Sequence, residues 1–272
     1  MSNNTGKRTL VALIAIPFLL AVSYYGGIPF LLFSLLIGLV ANYEFVKMGA
    51  VKETFSNGII SSLMIILLVL NTYYLVFDLY TLLIVFSAVS LLVELYRNKA
   101  SAINNLGSTF LGVFYIGLFS SSLVAIREFY QNPLEYDQGG LIIIAILFTI
   151  WICDSAAYFL GLAYGKHRLF LRVSPKKSWE GAIAGFVFSI IAMIAAKVII
   201  IDFLSWVDVI AIGFIIGIIG QYGDLVESLI KRDAGVKDSS AIIPGHGGIF
   251  DRFDSLLFAA PFVFLYLKYL SQ

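Results

Sequence analysis

Long apolar runs alternate with short polar segments along the whole chain. Most of the runs are bounded by turn signals such as Gly26-Gly27, Asn57-Gly58 and Gly139-Gly140. They are rich in Leu, Ile, Phe and Val without period-2 alternation, which favours helices over the strands of a β-barrel. A membrane helix needs about 20 mostly apolar residues to cross roughly 30 Å of hydrocarbon. The pattern therefore predicts nine spans, near residues 9–25, 28–46, 57–74, 78–96, 106–126, 140–164, 181–201, 205–230 and 254–270.

The amino-acid composition agrees with a chain that is embedded in a membrane. Of the 272 residues, 60% are hydrophobic and 13% are charged, and the mean hydropathy is +0.94. A soluble domain is roughly 45–50% apolar and about 25% charged. We therefore expect an all-α polytopic integral membrane protein. The net charge of +1 gives no reason to expect a nucleic-acid partner, and the single cysteine, Cys153, excludes an internal disulfide.

The distribution of basic residues predicts the orientation of the spans. With nine spans and a cytoplasmic N-terminus, fifteen of the 18 Lys and Arg residues fall in cytoplasmic segments, against Arg127, Lys197 and Lys268 outside. This bias follows the positive-inside rule. We expect a multi-pass protein of the cytoplasmic membrane of a bacterium-like cell. An alternative for the first span is a cleaved signal peptide, since Lys7-Arg8 precede an apolar stretch that ends at Ala21-Val22-Ser23.

The spans divide into three predicted regions. Residues 1–100 hold spans one to four, residues 101–139 hold the fifth span and an outer loop, and residues 140–272 hold spans six to nine with their cytoplasmic loops. The third region carries most of the chemically active side chains, so we expect it to be the catalytic part. The sequence shows no internal repeat and therefore gives no support to the inverted-repeat design of many transporters.

Asp154 lies in the middle of the sixth predicted span, and Asp224 and Glu227 lie toward the cytoplasmic end of the eighth. A charge in a span costs about 2.5–3.5 kcal/mol on insertion scales and is a functional candidate by default. On a helix, residues 224, 227, 228 and 231 share one face, so two carboxylates, the hydroxyl of Ser228 and the ammonium of Lys231 point into the same space. The structural alternative is a helix end whose acids pair with the basic residues of the same helix.

A glycine-rich segment leads into the last span. Three glycines surround a histidine in Gly245–Gly248, and Asp251 and Asp254 follow at the start of the ninth span. Glycines let backbone N–H groups converge on an anion, as phosphate loops do. As a structural alternative, the two aspartates suit a helix N-terminus. Together with the carboxylates of the spans and the nearby basic groups, these residues are of the types that bind a Mg²⁺–polyphosphate complex. Carboxylate oxygens bind Mg²⁺, and basic groups and backbone N–H groups bind phosphate oxygens.

A basic segment, residues 165–181, joins the sixth and seventh spans. It contains five Lys or Arg residues and His167 on the predicted cytoplasmic side. Ser174 or Ser178 is placed to cap the seventh helix, whose N-terminus favours an anion. The alternative is a topology signal that also contacts anionic lipid headgroups.

The segment Ser228–Asp254 resembles the signature of the phosphatidate cytidylyltransferases, or CDP-diacylglycerol synthases. The shared pattern is Ser, two residues, Lys-Arg, four residues, Lys-Asp, a short spacer, His-Gly-Gly, two residues, Asp-Arg and Asp. The segments Asp154–Tyr158 and Ser174–Gly181 are similar to that family as well. The resemblance covers about residues 140–270, whereas the N-terminal half matches only in hydrophobic character and helix count.

This resemblance implies a polytopic membrane enzyme, a homodimer, that uses Mg²⁺ to convert CTP and phosphatidate into CDP-diacylglycerol and pyrophosphate. The implied metal ligands are Asp224 and Asp251, supported by Asp154, Glu227 or Asp254, and a second cation stays open. Lys231 and Arg232 are the implied catalytic cations for the triphosphate or the departing pyrophosphate. The candidate contacts to CTP or to the phosphatidate headgroup are Ser174, Lys176, Lys177, Ser178, Ser228, Lys237, Asp238, Gly245, His246, Gly247, Gly248 and Arg252.

Two other functions stay open at this point. The signature concerns the nucleotide and the metal, so a CTP-dependent transferase acting on a different lipid phosphate or a polyprenol fits as well. An ion-coupled transporter would use intramembrane acids as ion or proton sites. Against a transporter, the polar residues gather toward one face of the membrane instead of at its centre.

Overall fold

The computed structural model describes residues 2–242 and 247–271, with side chains from Leu13 onward. This part of the chain folds into helices and one short hairpin. The helices are α1 (Ser2–Tyr25), α2 (Gly27–Val51), α3 (Gly58–Tyr74), α4 (Leu79–Arg97), α5 (Ala102–Arg127), α6 (Tyr136–Tyr164), α7 (Trp179–Ile199), α8 (Trp206–Asp233) and α9 (Phe250–Tyr269). Each predicted span overlaps one of these helices; α1 begins seven residues before its predicted span, and the other ends agree within five residues.

Six helices are long and apolar enough to cross a membrane, namely α2, α4, α5, α6, α7 and α8. Among the described residues, α1 adds a shorter apolar stretch, Leu13–Tyr25, and α3 is a shorter apolar helix. The prediction of an all-α polytopic membrane protein is therefore confirmed. The count of nine spans stays a prediction.

Polar side chains at the helix starts explain where the chain turns. The side chains of Asn57, Asp78 and Ser178 each accept a hydrogen bond from the backbone N–H three residues later, at the starts of α3, α4 and α7. Ser205 and Asp208 form a capping box at the start of α8. Such caps satisfy N–H groups that have no partner within the helix. Of the two predicted caps of the seventh helix, Ser178 is the one that the structure uses.

A two-stranded hairpin, which was not predicted, joins α6 to α7. Strand β1 (Arg168–Phe170) pairs antiparallel with β2 (Ser174–Ser178), with Arg168 opposite Ser178 and Phe170 opposite Ser174. The register shifts between these two pairs. Strands this short leave no periodic signal in the sequence, so a basic loop was expected here.

Helices α5 and α8 each contain a π-helical stretch, Gly112–Gly117 and Ile216–Gly220. A π-helical turn holds an extra residue, and such turns are frequent at functional sites. The extra residue rotates the side chains that follow relative to a continuous α-helix. In α8 the stretch ends four residues before Asp224, and it therefore sets the direction in which that carboxylate points.

The chain forms two compact units that do not follow chain order. The first unit contains Met1–Phe18, Gly27–Ala125 and Lys231–Phe253, and the second contains Leu19–Gly26, Ile126–Ile230 and Asp254–Gln272. In the first, α2, α3 and α5 pack together, and a buried cluster that includes Met64, Phe86 and Val113 joins α3, α4 and α5. In the second, α6 packs along α7, and α7 packs against α8. The three regions predicted from chain order stay a prediction.

Glycine allows the close approach of α6 and α7 in the second unit. A side chain at Gly181 would meet the carbonyl oxygen of Ala157 at 2.6 Å, and one at Gly185 would meet the Sγ of Cys153 at 3.1 Å. The approach places the first turn of α7 against the half of α6 that follows Asp154. The end of β2, which leads directly into α7, is held beside the same part of α6.

Candidate active site

Lys177 and Asp224 form an ion pair in the second unit. Lys177 is the last residue before the cap of α7, and Asp224 follows the π-helical stretch of α8. The Lys177 Nζ lies 2.5 Å from the Asp224 Oδ2, and the Ser228 hydroxyl donates to the Asp224 Oδ1 at 3.3 Å. The exposed fractions of the two side chains are 31% and 34%. The pair is therefore only partly covered by the rest of the protein.

Two further carboxylates, Asp154 of α6 and Asp254 of α9, interact electrostatically with Asp224 and with Lys177. Asp254 is buried, and its Oδ1 accepts a hydrogen bond from the backbone N–H of Ser255 at 2.6 Å. Asp154 is exposed. Three carboxylates thus lie within electrostatic range of one lysine, and the excess of acidic groups favours a cation at this place.

Gly223 brings α8 close to α9 next to this acidic cluster. A Cβ at Gly223 would lie 2.6 Å from the Cβ of Phe258 and 2.7 Å from the carbonyl oxygen of Asp254. The residue that follows Gly223 is Asp224. The contact between the two helices therefore requires a glycine beside the carboxylate, and it explains why Gly-Asp occurs as a unit in this segment.

Asp251 is the centre of a second cluster, which lies in the first unit. Its Oδ1 accepts a hydrogen bond from the Lys231 Nζ at 2.6 Å, and the two side chains are only 8% and 11% exposed. Its Oδ2 accepts from the backbone N–H of Ser239 at 2.9 Å, from the Ser239 hydroxyl at 2.9 Å and from the backbone N–H of Gly248 at 2.8 Å. The ion pairs of both clusters join different secondary-structure elements, so pairing within one helix end does not describe them.

Gly247 and Gly248, which follow the histidine, are each required to be glycine for a different structural reason. Gly247 has a φ of +84°, a conformation that side chains disfavour, and a Cβ there would lie 2.7 Å from the Asp251 Oδ2. A Cβ at Gly248 would meet the hydroxyl of Ser239 and lie 2.5 Å from both carboxylate oxygens of Glu44. The predicted residues Gly245 and His246 lie outside the described residues.

The remaining predicted site residues differ in their burial and in their contacts. Glu227 is fully buried, and Ser174 pairs with Phe170 in the hairpin. The Arg232 Nη1 donates to the carbonyl of Val236 at 3.3 Å. Exposed at the surface are Lys176, Lys237, Asp238 and Arg252.

A model of the cytidylyltransferase family matches residues 6–270. The chain belongs to the cytidylyltransferase family. It is also similar to proteins named phosphatidate cytidylyltransferase. The relative from Bacillus subtilis (strain 168) is 32% identical, over 97% of this chain and 98% of the relative. Those from Staphylococcus saprophyticus and Staphylococcus aureus (strain COL) are 36% and 34% identical, over 93% of this chain and 95% of each relative. The resemblance drawn from the signature is confirmed.

The carboxylate oxygens of the two clusters are of the type that binds Mg²⁺ together with a nucleotide. Mg²⁺ takes hard oxygen ligands and is commonly bound by one or two carboxylates together with substrate phosphates. Asp224 and Asp251 each offer such oxygens beside a lysine. Within the ranges that the structure describes, no three His, Cys, Asp or Glu side chains are arranged as a metal site. Asp224 and Asp251 have the ligand type of an ion that substrate phosphates also bind.

Three residues of the Asp251 cluster were not predicted, namely Glu44, Ser239 and Ser240. Glu44 is a carboxylate inside the second predicted span, and the cost of an intramembrane charge is a signal that points to it. The two serines lie in the spacer of the family signature, where no pattern marks them. Their contact with a residue of α2 spans 195 positions of sequence or more.

Proposed function

We propose that this cytidylyltransferase transfers the cytidylyl group of CTP to phosphatidate and releases CDP-diacylglycerol and pyrophosphate. The observation that carries the proposal is the similarity to proteins named phosphatidate cytidylyltransferase along almost the whole chain. The two clusters of acidic and basic side chains support it, because the reaction brings two phosphate-bearing anions together.

The proposed reaction asks the protein for positioning and charge neutralisation. A phosphate oxygen of phosphatidate attacks the α-phosphorus of CTP, and the bond from that phosphorus to the oxygen bridging to the β-phosphate breaks. The bridging oxygen leaves with pyrophosphate. The attacking phosphate is already ionised at neutral pH, so no general base is required. Orientation and electrostatic stabilisation carry most of the catalysis in phosphoryl chemistry of this kind.

In this proposal the lysines of the two clusters bind phosphate oxygens. Lys177 and Lys231 are each held by a carboxylate, so their ammonium groups are oriented before the substrate arrives. Asp224 and Asp251 supply carboxylate oxygens to Mg²⁺, which when bound neutralises phosphate charge and orients the phosphates. That both carboxylates ligate one ion is implied by the family resemblance and stays a prediction.

The proposed setting is the cytoplasmic membrane of a bacterial cell, with the active site on the cytoplasmic side. The hairpin between α6 and α7 supports this orientation, because Arg168, Arg172 and Lys176 are exposed on it. Exposed Leu171 and Trp179 lie beside these basic residues, as expected where a polypeptide meets the headgroup region. Assembly as a homodimer rests on the family resemblance alone.

The experiment uses the purified protein in lipid vesicles with labelled CTP. We expect labelled CDP-diacylglycerol with phosphatidate and Mg²⁺, and no product after chelation by EDTA. Parallel reactions replace phosphatidate with an isoprenoid phosphate or a polyprenol. If one of these acceptors gives a labelled product and phosphatidate gives none, that acceptor is the substrate and the proposal of phosphatidate is wrong. Solute uptake by sealed vesicles without a lipid product would indicate a transporter.

A further inference from the structure

Glu44 of α2 is a fully buried carboxylate that binds the segment leading into α9. Its Oε2 accepts hydrogen bonds from the Ser239 hydroxyl at 2.9 Å and from the backbone N–H of Phe250 at 2.8 Å. Its Oε1 accepts from the hydroxyl of Ser240 and from the backbone N–H of Ile249 at 3.1 Å. Four donors therefore satisfy one buried negative charge, as burial of a carboxylate requires.

The two backbone donors lie at the start of α9, at Ile249, which directly precedes the helix, and at Phe250, its first residue. These groups have no partner within the helix, and they carry the positive end of the helix dipole. Glu44 thus caps α9 from another helix, with charge-assisted hydrogen bonds. Phe250 is also fully buried and packs against Tyr115 of α5 at a ring distance of 5.6 Å. Apolar packing holds the helix end in place, and Glu44 determines the direction of its N–H groups.

Ser239 connects Glu44 to Asp251. The Ser239 hydroxyl lies 2.9 Å from the Glu44 Oε2 and 2.9 Å from the Asp251 Oδ2. A hydroxyl has one hydrogen, so the two carboxylates share this donor. Gly248, whose N–H donates to Asp251, also touches the carboxylate of Glu44 so closely that a Cβ has no room there. Glu44 and Asp251 therefore hold the same turn from two sides.

We propose that Glu44 is a positioning residue for cytidylyl transfer: it fixes the turn before α9 and thereby the orientation of the Asp251 carboxylate. This inference rests on the proposed function for its effect on turnover. A positioning error of about 1 Å can reduce a reaction rate by about 100-fold without loss of the fold. The effect should fall on kcat more than on the KM for CTP, because Asp251 acts on the phosphates as the reaction proceeds.

The test compares Glu44→Gln with Glu94→Gln in lipid nanodiscs. Glu94 is the matched control, since it is a buried carboxylate of the same unit but binds Asn105 and Arg97. For Glu44→Gln we expect faster backbone hydrogen exchange in residues 247–253 and a kcat lower by about 10- to 100-fold. Glu94→Gln should change neither, and Glu44→Asp should recover part of the turnover because it keeps the charge.

Unchanged exchange in residues 247–253 of Glu44→Gln, or a kcat within about twofold of the unmodified protein, would overturn the proposal. An equal loss of turnover in Glu94→Gln would also overturn it, because that result indicates a general loss of folded protein. If Glu44→Gln does not accumulate, Ser240→Ala removes one donor and should still speed exchange at Ile249. Should the unmodified protein make no CDP-diacylglycerol, the proposed function fails, and hydrogen exchange alone decides whether Glu44 positions the turn.

Discussion

Replacing Asp224 by asparagine removes one negative charge and keeps the size of the side chain. The Lys177–Asp224 pair is about one-third exposed on both sides, and exposed ion pairs contribute about 0–1 kcal/mol to stability. The free energy of unfolding should therefore fall by at most about 1 kcal/mol. If the carboxylate holds the cation that binds the phosphates, kcat should fall by about 100-fold or more. This loss corresponds to about 2.7 kcal/mol in activation free energy. The two magnitudes separate a role in catalysis from a role in the fold.

The assay measures kcat in phosphatidate-containing vesicles and the midpoint of thermal unfolding in detergent. Asp202→Asn is the matched control, because Asp202 is exposed in the turn before α8; it should change neither quantity. The double variant Lys177→Asp/Asp224→Lys restores opposite charges in exchanged places. If the pair only supports the fold, the double variant should regain turnover. If Lys177 binds a phosphate and Asp224 binds the cation, the double variant should stay inactive. Recovery in the double variant, or a kcat of Asp224→Asn within about threefold of the unmodified value, would refute the assigned role.

Further substitutions test the fold and the second cluster. Arg127→Met should destabilise the protein by about 3 kcal/mol in denaturant unfolding, because the buried guanidinium donates to the last carbonyls of α1 and to the Tyr136 carbonyl. A loss below about 1 kcal/mol would contradict this reading of the contacts. Gly248→Ala should insert into the membrane but lose most turnover, because its Cβ displaces the Glu44 carboxylate; unchanged kcat would refute the steric argument. Asp251→Asn should lower kcat by about 100-fold and raise the Mg²⁺ concentration for half-maximal rate, and an unaltered Mg²⁺ dependence would exclude it as a ligand.

The helices could be predicted because the lengths of the apolar runs match the thickness of a bilayer. The run near 205–230 corresponds to Trp206–Asp233, and its start agrees because a capping box lies there. The last helix differs, since the apolar run begins at 254 but the helix begins at Phe250. The polar first turn is stabilised by Glu44 from another helix. A contact so distant in sequence leaves no trace in a local hydrophobic pattern.

The same limit applies to the candidate site. The family signature contains both Lys231 and Asp251, and the structure joins them in one ion pair. Lys177 and Asp224 are 47 positions apart, and their pairing could not be read from either segment. The predicted shared face of α8 is confirmed in part, because Ser228 binds Asp224 one turn away. Sequence motifs thus identified the residue types, whereas the partner of each charge depended on tertiary packing.

The two clusters share a carboxylate, a lysine and a serine, and these groups keep each other's charges paired without a substrate. In each, a carboxylate accepts hydrogen bonds from a lysine and from a serine hydroxyl. Lys231 and Asp251 are almost fully buried, so removing one of them leaves the other uncompensated, which is costly. A nucleotide with its cation brings both signs of charge at once. If Asp224 and Asp251 hold that cation, each lysine would exchange its carboxylate for a phosphate oxygen and each carboxylate would exchange an ammonium for the cation, so that no charge would lose its partner during binding.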